Sequence, residues 1–180
     1  MHNIEKMKRE SLSAGAFAQA YTTYLAGLLG ALRPEEVDAL AAVLEDARRD
    51  NKTVFIAGNG GSAATASHMG VDLGGAVFRQ GATQKPLRIQ PLTDHTSLVT
   101  AAGNDYGFEH VFTKQLQVLY REGDILIVIS ASGNSANLVE AAKFVHDRRG
   151  TVVGLLGFDG GKLQSMCDVS LVVKTPAGEY

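Results

Sequence analysis

The sequence predicts an α/β protein built on one parallel sheet with helices on both faces. Short apolar runs rich in Val and Ile alternate with helical patterns over residues 51–175, and this alternation is typical of a parallel sheet. Most of the runs are continuously apolar, which indicates strands buried on both faces. Five such runs favour a three-layer αβα architecture with a doubly wound, flavodoxin-like sheet.

The first 50 residues precede this alternation and predict helices. Residues 3–30 are rich in Ala and Leu, and large apolar residues recur from Phe17 to Leu29 at nearly helical spacing. Pro34 with Glu35 and Glu36 is typical of the first turn of a second helix, because proline tolerates that position and acids favour the positive end of the helix dipole.

Strands and helices are expected to follow one another through the rest of the chain. The predicted strands are 54–57, 87–91, 125–129, 152–156 and 169–173. The predicted helices are 61–73, 95–102, 108–121, 135–148 and a short piece at 161–165. Since ligands bind at the carboxyl ends of strands in such sheets, the turns after the strands are the first candidates for a functional site.

The composition is that of an ordinary globular domain. Of 180 residues, 45% are hydrophobic and 20% are charged, and the net charge of −2 gives no footprint for nucleic acid. No apolar run has the length of a membrane span, and the N-terminal residues lack the apolar segment of a signal peptide. We expect a cytoplasmic protein without nucleic-acid or membrane partners, whose single cysteine, Cys167, is a small core side chain.

A cluster of hydroxyls follows the third predicted strand. In the run Ser-Ala-Ser-Gly-Asn-Ser at 130–135, Ser130, Ser132 and Ser135 precede a helix. Uncovered backbone N–H groups and the helix dipole bind anions at such a turn, and hydroxyls add donors. The alternative is helix capping, which needs only one of these residues. We therefore predict that the run binds phosphate, although neither a P-loop nor a dinucleotide fingerprint is present.

A second polar turn follows the first predicted strand. It contains Asn59, Gly60, Gly61 and Ser62. These residues either contact sugar hydroxyls or form a tight turn that caps the next helix. We favour ligand contact, because two polar turns then lie at the same edge of the sheet.

The helix after this turn carries His68 and Asp72. They are four residues apart and are expected to share one helix face. An imidazole and a carboxylate in this arrangement can bind a metal or transfer a proton, and the alternative is a plain surface pair.

The run AAGNDYGFEHVF contains Asn104 and Asp105. Its composition predicts a turn, and an acid at this place can also hydrogen-bond sugar hydroxyls. His95 and His110 are isolated, and we interpret them as helix-terminal or surface residues.

These motifs together resemble one known family. The runs GNGGSAATASHMGVDLGG, TAAGNDYGFEHVF, ISASGNSANLVEA and GFDGGKL are similar to those of the sugar isomerase (SIS) fold, and more closely to the phosphoheptose isomerases. The resemblance extends to about residue 175. It implies a single SIS domain over 1–180, in which residues 1–50 are oligomerisation helices and 51–175 are the sheet core. It also implies a homotetramer with active sites between subunits.

The resemblance further implies an activity and the residues for it. Phosphoheptose isomerases convert sedoheptulose 7-phosphate to D-glycero-D-manno-heptose 7-phosphate through an enediol, toward nucleotide-activated heptoses for lipopolysaccharide, capsule or other glycans. His68 and Asp72 match the family's His and Glu, which bind zinc in some members, and that Glu is the proposed base. The matching substrate-binding positions are Asn59, Gly60, Gly61, Asn104, Asp105, Ser130, Ala131, Ser132 and Ser135.

Three features depart from the family pattern. Asp72 stands where the family has Glu, and its side chain is one methylene shorter. Ala76 replaces a common Arg, with Arg79 three residues further on. Family members continue into a last helix that carries a Gln and a His. Either the sequence ending in KTPAGEY stops short of this helix or the protein lacks a catalytic partner, and we favour the first, because the last strand would otherwise lack a covering helix.

Two other functions stay open on the sequence alone. One is a non-catalytic SIS protein that binds a phosphosugar or a replication initiator. The other is an isomerase of a different ketose phosphate. The pairing of His68 with an acid at position 72 favours the enzyme, because a partner-binding protein has no need of a proton-transfer or metal-binding pair.

Overall fold

The computed structural model describes residues 3–75 and 85–176, and they form the predicted αβα arrangement. Five parallel strands lie in the order β2-β1-β3-β4-β5, which is the flavodoxin-like order. The strands are β1 (Thr53–Gly58), β2 (Arg88–Pro91), β3 (Ile125–Ser130), β4 (Thr151–Gly157) and β5 (Val169–Val173). The predicted fold class and all five predicted strands are confirmed.

The described part of the chain contains eight α-helices. They are α1 (Asn3–Glu10), α2 (Ala14–Gly30), α3 (Pro34–Arg49), α4 (Gly61–Gly74), α5 (Thr96–Tyr106), α6 (Val111–Leu119), α7 (Ala136–His146) and α8 (Gly161–Gln164). A short 3₁₀ helix, Phe108–His110, precedes α6. Among these residues, no helix has both the length and the apolar character needed to cross a bilayer.

The N-terminal region differs from the single helix predicted over 3–30. Residues 11–13 separate α1 from α2, and Ser13 adopts an extended backbone with φ −156° and ψ 164°. The Ser13 hydroxyl accepts a hydrogen bond from the N–H of Ala16 at 3.1 Å, so this serine caps α2. The sequence analysis missed Ser13 as the start of a helix, because the Ala/Leu-rich pattern continues on both sides of it. Pro34 begins α3 as predicted.

The two faces of the sheet bury two separate apolar clusters. Val54 and Ile56 of β1 face the cluster that contains Ala47 of α3 and Ala66 of α4. Phe55 and Ala57 face the larger cluster, formed mainly with α5, α6 and α7. Because successive side chains of a strand point to opposite faces, a strand covered on both sides needs an apolar residue at every position. This explains the continuous apolar runs in the sequence.

The edge strands are less buried than the central ones. Exposed and half-buried residues alternate along β2, and every residue of β5 is half-buried. The prediction of continuously buried strands therefore holds for β1, β3 and most of β4 but not for the two edges. The cause is position in the sheet, because an edge strand has a neighbour on one side only.

Cys167 lies just before β5 and packs against the larger cluster, in agreement with its predicted role. Burial raises the pKa of the Cys167 thiol to about 12, and the adjacent Asp168 carboxylate adds to the rise. The thiol is therefore protonated at neutral pH, and only the thiolate is a good nucleophile.

We expect Cys167 of the native protein to react slowly with a thiol-specific disulfide reagent at mildly alkaline pH. The unfolded chain should react fast, because its thiol has an ordinary pKa of about 8.5. Since the folded-state pKa is the higher one, the stability linked to this thiol is present below the ordinary pKa and falls as the pH rises above it. Equal reaction rates for native and unfolded protein would contradict the buried thiol.

Candidate functional site

Three turns meet at the carboxyl edge of the sheet. The turn at Asn59 and Gly60 joins β1 to α4, the serine loop (residues 130–135) joins β3 to α7, and residues 158–160 join β4 to α8. Because β1, β3 and β4 are neighbours in the sheet, the three turns are neighbours too. The prediction that the two polar turns share one edge is confirmed.

The serine loop is held by α8 and by the turn that precedes it. Gly133 has a φ of +64°, and its carbonyl accepts the N–H of Leu163 at 3.0 Å. The side-chain oxygen of Asn134 accepts the N–H of Lys162 at 3.1 Å. A Cβ at Gly133 would lie 1.9 Å from the carbonyl oxygen of Gly160. The loop conformation thus depends on a glycine at this point.

The three serines of the loop are not equivalent. Ser130 is only 5% exposed, and its hydroxyl accepts the N–H of Gly133 at 3.0 Å, which braces the loop from inside. Ser132 is half-buried, and its hydroxyl accepts the N–H of Asn134 at 3.3 Å. Ser135 is the N-cap residue of α7, yet its side chain makes no capping hydrogen bond. Capping alone therefore does not explain the Ser135 hydroxyl.

The serine loop has the chemistry of an anion site. The first N–H groups of α7 have no partner within the helix, and the helix dipole adds partial positive charge at the same end. Ser132 and Ser135 are half-buried residues of the loop that leads into α7, and the exposed Ala131 adds no polar side chain that would compete for these groups. A phosphate group is the ligand class that such a loop suits best.

The Asn59 turn is connected to α7 by a residue that the sequence patterns did not single out. The side-chain amides of Asn59 and Asn137 exchange two hydrogen bonds of 2.9 and 2.8 Å. Asn137 lies in the first turn of α7 and is 2% exposed. The sequence did contain one signal for this residue: Asn137 is a polar residue beside Leu138 and Val139, which are buried in the core.

The same turn requires glycine before the helix begins. A Cβ at Gly58 would lie 2.6 Å from the carbonyl oxygen of Ser62, so α4 starts in direct contact with the end of β1. Gly60, the N-cap residue of α4, has a φ of +55° and no side chain that could cover the end of the helix. Gly61 is exposed. The N-terminus of α4 is therefore open to a ligand at the same edge as the serine loop.

His68 and Asp72 form the predicted pair on one face of α4. Nδ1 of His68 lies 3.2 Å from Oδ2 of Asp72, and the two side chains are 78% and 55% exposed. His68 is seven residues beyond the start of α4, which is about 10 Å along the helix axis. The pair thus lies further along α4, away from the carboxyl edge of the sheet, and its side chains face solvent in the single chain.

The pair does not complete a metal site by itself. Zinc sites use at least three protein ligands. Within residues 3–75 and 85–176, no group of three or more His, Cys, Asp or Glu side chains could hold a metal ion. His68 and Asp72 can supply at most two of the ligands of a zinc ion. The remaining ligands would have to come from outside the described residues of this chain.

Asn104 and Asp105 lie in the last turn of α5, which corrects the predicted turn at this place. The helix ends four residues later than predicted, because Gly107 with a φ of +92° is the residue that breaks it. Both side chains are exposed, and Asn104 donates a hydrogen bond to Asp105 at 2.8 Å. Since α5 starts at the carboxyl edge, Asn104 lies about 12 Å along the helix from that edge.

The remaining sequence predictions for this region have clear outcomes. His95 is the exposed N-cap residue of α5, where its Nδ1 accepts the N–H of Leu98 at 3.4 Å, and His110 ends the 3₁₀ helix. Both are helix-terminal, as predicted. Ala76 and Arg79 lie outside the described residues.

Comparison with known proteins identifies similar sequences in the SIS domain family and among the phosphoheptose isomerases. The model of the SIS domain family matches residues 17–157. The phosphoheptose isomerase of Rhodospirillum rubrum is 41% identical over 145 residues, which cover 81% of this chain and 75% of that protein.

Two solved structures agree with the sequence relatives. The structure of phosphoheptose isomerase GmhA from Neisseria gonorrhoeae superposes with a TM-score of 0.74 at 36% identity, over 90% of this chain and 88% of that one. The structure of a phosphoheptose isomerase from Francisella tularensis gives a TM-score of 0.79 at 28% identity, over 99% and 88% of the two chains.

Proposed function

Because the chain belongs to the phosphoheptose isomerase family of SIS-domain proteins, we propose that it converts sedoheptulose 7-phosphate to D-glycero-D-manno-heptose 7-phosphate. It is then a sugar phosphate isomerase of heptose biosynthesis. The observation that carries the proposal is the serine loop, with the Ser135 hydroxyl free of capping at the N-terminus of α7. A phosphate held there anchors the substrate away from its reacting carbons and supplies binding energy for orientation.

We assign the proton transfer to the carboxylate of Asp72. The reaction moves the carbonyl from C2 to C1, so a proton leaves C1 and a proton is returned to C2 through an enediol. A carboxylate can carry this proton, and His68 at 3.2 Å holds the Asp72 side chain in place. The Asn59 turn, with Gly60, Gly61 and Ser62, contacts the sugar between the phosphate and the reacting carbons.

We propose further that the active site is completed between subunits of a homotetramer. In the single chain, Ala66 of α4 and Ala102 of α5 pack on opposite faces of the sheet, so Asn104 and Asp105 of α5 contact a substrate held beside His68 and Asp72 only from a neighbouring copy. The helix α2 buries no residue in the single chain and exposes the apolar side chains Tyr21, Leu25 and Leu29, which supports its burial in an assembly. Zinc, when bound, would take His68 and Asp72 together with ligands from outside the described residues.

The proposal is tested by direct turnover of sedoheptulose 7-phosphate, followed by NMR detection of the aldose phosphate. Parallel reactions contain added zinc or a chelator, and another ketose phosphate serves as the specificity control. We expect product from sedoheptulose 7-phosphate, and loss of product with chelator would show that the reaction needs a metal, for which His68 and Asp72 are the candidate ligands. Binding of the phosphosugar without turnover would overturn the isomerase and support a phosphosugar-binding protein.

We expect Ser135→Ala to weaken phosphosugar binding without lowering stability. A lost hydrogen bond to a charged group costs about 1.5–3 kcal/mol, and this hydroxyl makes no capping bond in the free protein. Isothermal titration with the phosphosugar and thermal unfolding measure the two quantities. Unchanged affinity would remove Ser135 from the phosphate site.

The matched control is Ser13→Ala, at the N-cap of α2. The Ser13 hydroxyl does accept a capping bond, from the N–H of Ala16, so its loss should cost about 0.5–2 kcal/mol of stability. Phosphosugar affinity should stay the same. Comparison of the two variants thus distinguishes a hydroxyl that binds a ligand from a hydroxyl that stabilises a helix.

A further inference from the structure

We propose that Asn137 is a positioning residue, which fixes the side chain of Asn59 for contact with the sugar. The inference rests on the proposed function, because it assigns a role in binding the same substrate. Asn137 lies in the run ISASGNSANLVEA, but neither the sequence pattern nor the resemblance assigned it a role. The contact that carries the inference is a pair of hydrogen bonds between two side chains.

The two amides form a closed pair. Nδ2 of Asn59 donates to Oδ1 of Asn137 at 2.9 Å, and Nδ2 of Asn137 donates back to Oδ1 of Asn59 at 2.8 Å. Both bonds are short and reciprocal, so each amide determines which way the other is turned. An asparagine on a turn without such a partner rotates about its last side-chain torsion, which has a broad energy minimum.

The pairing leaves Asn59 with one N–H and one oxygen lone pair unused. Asn59 is half-buried, whereas Asn137 is 2% exposed, so the unused groups that a ligand can reach are those of Asn59. A donor and an acceptor at a fixed spacing suit a sugar, whose neighbouring hydroxyl and carbonyl groups need one of each. Asn137 therefore acts through Asn59 and does not touch the substrate itself.

The pair also connects the two halves of the site. Asn59 follows β1, and Asn137 is the second residue of the helix that starts at the serine loop. The bonds join residues 78 positions apart in the chain. They hold the sugar-binding turn at a constant distance from the phosphate-binding loop, and a displacement of about 1 Å between such groups costs on the order of 100-fold in rate.

An asparagine buried at this place needs a reason beyond packing. Its neighbours Leu138, Val139, Ala141 and Ala142 are apolar and buried. A polar side chain that is removed from water is stable only when its hydrogen bonds are made. The partner that makes them here is a residue of the ligand turn rather than of the core.

The test is a double-mutant cycle with Asn59→Ala, Asn137→Ala and both together, assayed with sedoheptulose 7-phosphate. We expect Asn137→Ala to lower kcat/KM by about 10- to 100-fold in the native background, as expected for a misplaced contact. The same change should have little effect when Asn59 is already alanine, because Asn137 then has nothing to position. Independent effects that multiply in the double variant would overturn the inference, as would a native kcat/KM in Asn137→Ala.

Asp124→Ala is the matched control at the opposite edge of the sheet. Asp124 is 3% exposed and accepts the N–H groups of Thr53 and Arg121, both at 2.8 Å. The bond from Thr53 ties the start of β1 to the residue before β3, and the bond from Arg121 is local. Both alanine variants should lower the thermal midpoint, but only Asn137→Ala should change kcat/KM. Loss of kcat/KM in Asp124→Ala to the same extent would show a general structural effect and overturn the inference.

Two further measurements keep the test decisive. If Asn137→Ala does not fold, Asn137→Asp replaces it in the cycle, because an acid is favourable in the first turn of a helix and still accepts one bond from Asn59. If the native protein binds the phosphosugar without turnover, the isomerase proposal fails while the same cycle in binding affinity still decides the role of Asn137. If the native protein neither binds nor converts it, both proposals fall.

Discussion

Asp72→Asn is expected to lower turnover of sedoheptulose 7-phosphate by about 10²- to 10⁴-fold, with phosphosugar binding largely kept. The amide has the same shape as the carboxylate but cannot accept the proton. The fold should tolerate the change, because Asp72 is 55% exposed and its only described ion pair is the one with His68 on the helix surface. Such exposed pairs contribute about 0–1 kcal/mol to stability. Steady-state kinetics and titration with the phosphosugar measure the two effects.

Two variants control the Asp72 result. Asp147→Asn removes an exposed carboxylate at the C-terminus of α7, at the opposite edge of the sheet, and should leave turnover unchanged. Asp72→Glu keeps a carboxylate with one more methylene and should retain turnover. Full activity in Asp72→Asn would show that another group carries the proton.

Gly133→Ala is expected to destabilise the protein and to abolish phosphosugar binding. The new Cβ would lie 1.9 Å from the carbonyl oxygen of Gly160, and the backbone at Gly133 has a φ of +64° that L side chains rarely adopt. The left-handed backbone and the overpacked contact together cost about 2–5 kcal/mol. For a chain of this length, that lowers the thermal midpoint by about 5–15 °C.

Gly15→Ala is the control for the Gly133 variant. Gly15 lies in the first turn of α2, and a Cβ there would meet only the hydroxyl oxygen of Ser13 at 3.9 Å. Alanine has the higher helix propensity, so this variant should be as stable as the native protein or more stable by about 0.5–1 kcal/mol. If Gly133→Ala unfolds at the same temperature as Gly15→Ala and still binds the phosphosugar, the serine loop does not depend on its glycine.

The alternation of apolar runs and helical patterns was sufficient to predict the fold. The five strands, the αβα layers and the position of the polar turns at strand ends all follow from local signals: apolar periodicity, glycine at turns and proline at the start of α3. These signals are local because each arises from the backbone preference or the burial of single residues. The same logic placed His68 and Asp72 on one helix face, since residues four apart in a helix are neighbours by geometry.

Other features were decided by contacts between segments far apart in the chain. The sequence presents Ser130, Ser132 and Ser135 as three similar hydroxyls, but only the folded loop shows that Ser130 is turned inward while Ser135 makes no capping bond. The turn expected at Asn104 became helix, because helical hydrogen bonding continues until Gly107 breaks it.

The amino-acid sequence by itself determined the parallel, flavodoxin-like type of sheet, the edge at which the polar turns lie and the residues that form these turns. The tertiary structure alone decided that Asn137 pairs with Asn59 and that Gly133 lies against Gly160. The physical reason is the same in both cases. A pairing between residues 78 or 27 positions apart leaves no periodic trace in the sequence, because it depends on which strands are neighbours in the sheet and on how closely their turns approach.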